Sequence, residues 1–172
     1  MKRASIWSFI EKEIRKNGKV YIIIITETTG YAPGKTGAKM AVSLSGKTFG
    51  TIGGGKAEFD LKNLVLASNV KEKRAHIIEY KFDNEYNSLS EKTICGGKQK
   101  FIIFEITNSQ LKIIQNVKLH ISNHIPAIMN FLSSGEIELM ELNKSIVPKK
   151  YPPNENIFYH EIICNEPLVH II

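Results

Sequence analysis

The chain has 172 residues, 42% of them hydrophobic and 23% charged, and its formal net charge is +6. This composition is ordinary for one globular domain with a real hydrophobic core. Almost all of the positive charge comes from lysine, with arginine only at positions 3, 15 and 74, which argues against a nucleic-acid-binding protein. No apolar run approaches the roughly 20 residues that a membrane span requires.

Hydrophobic spacing predicts three helices and eight strands. In chain order these are a helix at 5–16, strands at 20–26, 38–44 and 47–52, a helix at 56–70, strands at 75–82 and 100–107, a helix at 110–122, and strands at 127–132, 136–142 and 157–164. Turn sequences predict loops at 29–37 and 83–91, hairpins at 45–46 and 133–135, and a connector at 147–156.

The β-branched run at 20–26 is typical of a central strand that is buried on both faces. We therefore expect an α/β fold, with a mixed sheet around this strand and the helices packed on it. The domain is expected to occupy residues 1–165. Residues 166–172 resemble the start of a linker or strand that leads toward a further domain.

Three consecutive glycines, Gly53, Gly54 and Gly55, separate a predicted strand from a predicted helix. Bare backbone at a helix N-terminus favours close approach to a ligand that carries an anionic group. Glu58, in the first helical turn, is either a polar contact to that ligand or a carboxylate that caps the helix.

A second glycine-rich stretch contains Cys95, Gly96 and Gly97. Lys92, Lys98 and Lys100 are near this uncrowded thiol in the sequence, and their positive charges would favour its thiolate form. The alternative that Cys95 is an inert cysteine in a turn remains open. Cys164 lies on an apolar strand and is predicted to be buried.

The loop from Gly30 to Thr36 contains Gly-Lys-Thr but does not fit a nucleotide-binding P-loop. Three residues separate its glycines where the motif needs four, and a strand follows where the motif needs a helix. The loop does place Lys35 at a strand end, where ligands commonly bind. His120 and His124 are four residues apart but have no third partner that would indicate a zinc site.

Together these motifs resemble the amino-terminal domain of the XdhC/CoxI family over roughly residues 5–172. The resemblance is carried by four segments, which are Gly-Tyr-Ala-Pro at 30–33, Gly-Ala-Lys-Met at 37–40, Gly-Thr-Ile-Gly-Gly-Gly at 50–55 with Glu58, and Cys-Gly-Gly at 95–97. Family members usually carry an arginine directly after the proline, whereas this chain has Gly34 followed by Lys35. Two-domain members also carry a C-terminal Rossmann-like domain, and we expect this chain to lack it.

The resemblance implies an accessory factor rather than an enzyme with its own turnover. Such a factor binds the molybdenum cofactor (molybdopterin), protects it during sulfuration by a cysteine desulfurase, and delivers it to a xanthine dehydrogenase-type hydroxylase. A cytoplasmic homodimer is expected. The implied cofactor-binding residues are Lys35, Lys39, Gly53, Gly54, Gly55, Glu58, Cys95, Gly96 and Gly97, with Cys95 as a possible neighbour of molybdenum.

Two alternatives remain open at this point. The chain could be a small-molecule enzyme that uses Cys95 as its nucleophile. It could also be a structural or dimerisation module whose ligand site has decayed.

Overall fold

The computed structural model describes residues 5–67, 74–82, 97–142 and 156–163. Its helices are α1 (Ile6–Asn17), α2 (Gly55–Leu66) and α3 (Leu111–Ser122), with a short 3-10 turn at Asn108–Gln110. Its strands are β1 (Lys19–Thr29), β2 (Lys39–Ser43), β3 (Thr48–Gly50), β4 (Ala75–Lys81), β5 (Lys98–Thr107), β6 (Ala127–Leu132), β7 (Ile137–Glu141) and β8 (Ile157–Ile163). Every helix, strand and hairpin predicted from the sequence that falls on these residues is confirmed.

The strands form a five-stranded sheet in the order β3-β2-β1-β5-β4 and a three-stranded sheet in the order β7-β6-β8. The α/β class is confirmed, but the predicted single mixed sheet is instead two sheets whose described pairings are all antiparallel. Two of these pairings are hairpins, β2 with β3 and β6 with β7, whose short turns return the chain beside itself and so make neighbours antiparallel.

Strand β1 is the centre of the larger sheet, as its apolar run predicted. Its residues from Val20 to Ile25 are all buried, and their alternating side chains enter two different cores. One core, which includes Phe104 and Phe131, lies against α1, α3 and the smaller sheet. The other lies beneath α2. Burial of each large side chain contributes about 1.5–3 kcal/mol, so this strand holds both layers together.

Several predictions lie outside the described residues. They concern the loop at 83–91, most of the connector at 147–156, the end of the helix at 56–70, Cys164 and the segment 166–172. In the part of the chain that is described, no helix is long and apolar enough to cross a membrane.

Helices α1 and α3 are joined by the carboxylate of Glu11. It accepts hydrogen bonds from Lys118 at 2.5 Å, from Gln115 at 3.0 Å and from Arg15 at 2.9 Å. The bonds from Lys118, then Gln115 and then Arg15 lower the pKa of Glu11 from 4.5 to about 2. The charged form of Glu11 therefore contributes to folding stability.

We predict that Glu11→Gln destabilises the protein at pH 7 and does so much less at pH 2, where the Glu11 carboxyl group is about half protonated in the folded protein because its pKa is about 2. A carboxyl group whose pKa is depressed in the folded state contributes fully above its unfolded pKa, and this contribution disappears as the pH falls through its folded value. Urea unfolding at both pH values measures the difference. The control is Glu138→Gln, because the Glu138 side chain is exposed on β7. An equal loss for Glu11→Gln at both pH values would contradict the assignment.

Candidate ligand-binding junction

Three separate segments meet at one end of the larger sheet with almost no space between their backbones. A Cβ atom at Gly34 would lie 2.6 Å from the carbonyl oxygen of Ile52, and one at Gly53 would lie 2.8 Å from the carbonyl oxygen of Pro33. A Cβ atom at Gly97 would lie 2.6 Å from the carbonyl oxygen of Tyr31. We call this contact of loop 29–34, turn 51–55 and Gly97 the glycine junction.

The junction lies where β1 ends and β5 begins, because Thr29 pairs with Lys98. Gln99, the next residue of β5, is only 1% exposed, and its amide nitrogen donates to the carbonyl oxygen of Pro33. Its Oε1 atom is buried and has no hydrogen-bond partner among the described residues. Gln99 therefore supports the loop from below while one acceptor is left unpaired.

The three consecutive glycines have two different roles. Gly53 packs directly on Pro33, whereas a Cβ atom at Gly54 or Gly55 would meet nothing within 4 Å. Gly54 and Gly55 also have φ values of 78° and 67°, which side chains rarely adopt. Gly53 thus closes the junction, and Gly54 and Gly55 leave open space at the start of α2.

Glu58 folds back over the same turn. Its Oε1 atom accepts hydrogen bonds from the Thr51 hydroxyl at 2.5 Å, the Ile52 amide at 2.8 Å and the Gly54 amide at 2.9 Å. Burial alone would raise the pKa of Glu58, but these three bonds outweigh it and hold the pKa below its usual value. The sequence allowed Glu58 to be either a ligand contact or a capping carboxylate, and its Oε1 atom acts as the capping carboxylate. Its Oε2 atom has no donor among the described residues.

The two predicted cofactor lysines have different surroundings. Lys35 is exposed on loop 30–38. The Lys39 ammonium group lies 2.5 Å from Glu161 on β8, so its charge joins the two sheets. The second carboxylate oxygen of Glu161 is buried without a partner among the described residues.

Gly34 occupies the position at which the family resemblance implies an arginine. Its φ is +82°, and a Cβ atom there would lie 2.8 Å from the Ile25 side chain as well as against Ile52. No side chain fits at this position in the observed loop. The next residue along the loop, Lys35, is exposed and carries a positive charge beside Gly34.

Gly97 is the part of the predicted cysteine segment that the structure describes, since Cys95 and Gly96 lie outside it. In the described ranges there is no cluster of three metal-ligating side chains. Sequence reasoning missed Gln99 and Glu161. For Gln99 a signal was present, because it is a polar residue at the inward register of β5, two positions before buried Phe101.

We predict that Gly53→Ala destabilises the protein more than Gly54→Ala. Both positions have positive φ, so both variants carry backbone strain of about 1–3 kcal/mol. Only the methyl group at position 53 also collides with backbone, which adds about 1–3 kcal/mol. Urea unfolding of the two variants gives the difference directly, and equal losses would mean that the close contact with Pro33 is absent in solution.

Comparison with known proteins gives a family match over a part of the chain that contains loop 29–34 and turn 51–55 but not Gly97. The model of the XdhC and CoxI family matches residues 14–81. Among curated proteins, none matches the chain. A crystal structure described as a xanthine dehydrogenase from Bacillus halodurans is similar to it, with a TM-score of 0.68 and 16% identity.

That similarity covers 94% of this chain and 53% of the Bacillus protein, so the chain spans about half the length of its structural neighbour. At this identity the similarity establishes the fold. The family resemblance seen in the segments at 30–33, 37–40 and 50–55 is confirmed by the family match at residues 14–81, and the Cys-Gly-Gly segment at 95–97 lies outside that match.

Proposed function

We propose that this protein binds the molybdenum cofactor and assists the maturation of a xanthine dehydrogenase-type hydroxylase. The observation that carries the proposal is the glycine junction. Loop 29–34 and turn 51–55, which lie within the family match, come together with Gly97 from the cysteine segment.

The junction leaves room for a ligand that approaches the backbone closely. Gly54 and Gly55 leave open space, and the amides of the first turn of α2 have no partner within the helix. Gly54, Gly55 and Lys35 would hold the ligand under this proposal. The cofactor would bring a molybdenum centre with sulfur ligands, and Cys95, two residues before Gly97, would be its neighbour.

The proposal treats the protein as a carrier, with the cofactor as its cargo. The hydroxylase would receive the cofactor, and a cysteine desulfurase would supply the sulfur while the cofactor is held. A homodimer in the cytoplasm is part of the same proposal. The exposed aromatic rings of Tyr31 and Phe59, on loop 29–34 and in the first turns of α2, offer apolar surface beside the site.

We predict that Gly54→Ala lowers the affinity for molybdopterin at least about tenfold, because the added methyl group occupies space through which the ligand would approach. Anaerobic titration of purified protein, followed by pterin fluorescence, measures the affinity.

Gly46→Ala is the matched control for this experiment. Gly46 lies in the turn between β2 and β3, has a φ of +76°, and would place its Cβ atom at an ordinary 3.6 Å from Leu66. It therefore carries the same backbone strain away from the junction. Equal binding by wild type and Gly54→Ala would place the site elsewhere, and absence of binding by wild type would reject the proposed function.

A further inference from the structure

A surface groove lies at the end of the larger sheet that is opposite the glycine junction. It has a volume of about 420 Å³, and it is lined by α3, by the residue before β4 and by the β6–β7 turn. We call it the Arg74 groove. Strand β5 begins directly after Gly97 and ends at Thr107, beside the groove residue Ser109. Its 10 residues extend roughly 30 Å, so a molecule in this groove leaves the junction open.

The walls of the groove are held in place by contacts with Gly135, in the β6–β7 turn. A Cβ atom at this position would lie 3.1 Å from the Cγ and Cδ atoms of Arg74, so the Arg74 stem packs directly on the turn. The Gln110 side-chain amide donates to the Gly135 carbonyl oxygen at 2.7 Å, and its oxygen accepts from the Thr107 amide at 2.8 Å. A partner therefore meets an arginine stem that is already ordered, which lowers the entropic cost of binding.

The charged groups that line the groove do not neutralise one another. Arg74, Lys112 and Glu136 are exposed, and none of them forms an ion pair with another described residue. Two cations against one carboxylate leave the groove positive. The Arg74 guanidinium also offers a planar set of N–H donors that matches a carboxylate. Ile113 and Ile137 add apolar lining between these charges.

This combination fits acidic side chains on a peptide better than it fits a small molecule. Small-molecule sites are mostly apolar and enclose most of the ligand, whereas the polar side chains of this groove are exposed. Arginine is enriched at protein–protein interfaces, where its stem packs and its head group pairs. A peptide that carries several carboxylates can pair with Arg74 and Lys112 at the same time and place its methylene groups against Ile113.

We propose that the Arg74 groove is a docking site for an acidic segment of a partner protein. The inference does not rest on the proposed function, because no residue of the groove belongs to the glycine junction. A partner bound here would lie at the far end of β5 from the open backbone of Gly54 and Gly55.

The test is titration of the purified full chain with a tetraglutamate peptide, capped at both ends and followed by backbone amide chemical shifts. We expect changes concentrated at Ser109, Lys112 and Asn116, which line the groove. Binding should weaken as salt is added, because salt screens attraction between exposed charges. Inorganic phosphate is titrated separately as the small-anion probe.

Arg74→Gln is expected to weaken tetraglutamate binding about threefold or more, as expected for an exposed ion pair with charge-assisted hydrogen bonds. Glu136→Gln should strengthen binding about twofold or more, because it removes a like charge from the groove. Lys47→Gln is the matched control, since Lys47 is an exposed lysine in the β2–β3 turn and its loss should leave the affinity nearly unchanged. If Arg74→Gln fails to fold without its packing on Gly135, Lys112→Gln gives the same measurement.

Absence of tetraglutamate binding by wild type would overturn the inference. Equal affinities for wild type, Lys112→Gln and Glu136→Gln would also overturn it. Phosphate binding in the groove without tetraglutamate binding would make this a small-anion site and would reject a docking role. Shifts at Gly54 and Gly55 instead of the groove would place the peptide at the junction and would likewise contradict the proposal.

Discussion

The contact on which the candidate site depends is the packing of backbone against backbone at Gly34, Gly53 and Gly97. A Cβ atom at any of the three would lie within 2.8 Å of a carbonyl oxygen of a neighbouring segment. Protein interiors are close-packed, so such contacts cannot expand without moving the segments apart. Loop 29–34, turn 51–55 and the start of β5 therefore hold one fixed geometry relative to one another, and Gly54 and Gly55 present open backbone from a rigid base.

The sheet explains why these three segments arrive at the same place. Strand β1 pairs with β5 in antiparallel orientation, so the end of one strand lies beside the beginning of the other. The β2–β3 hairpin then returns the chain to the same end of the sheet before α2 begins. The buried side chains of β1 enter both cores, which fixes the strand from two sides. Lys39 and Glu161 add an ion pair between the two sheets just beyond the loop.

Local patterns in the sequence were sufficient to predict the helices and strands, but they were not sufficient to predict which strands pair. The apolar run of β1 predicted a central buried strand because β-branched residues pack well on both faces of a sheet. The same pattern does not say which strands pair, so the expected mixed sheet differs from the two antiparallel sheets observed. The glycine motifs predicted a ligand site, which stays a prediction, and the structure brings loop 29–34, turn 51–55 and Gly97 into contact. The division between Gly53 and Gly54 depends on the distant Pro33, which no local pattern contains. Glu161 was missed because its partner, Lys39, is 122 residues away.

The central claim is that a ligand binds at the open side of the glycine junction. Backbone amide chemical shifts during titration with pterin test it most directly, because each described glycine gives its own signal. The account predicts changes concentrated at Gly54, Gly55 and Glu58, with none at the distant turn residue Gly46. Changes confined instead to the groove lined by Arg74, Lys112 and Glu136, or no changes at any residue, would contradict it.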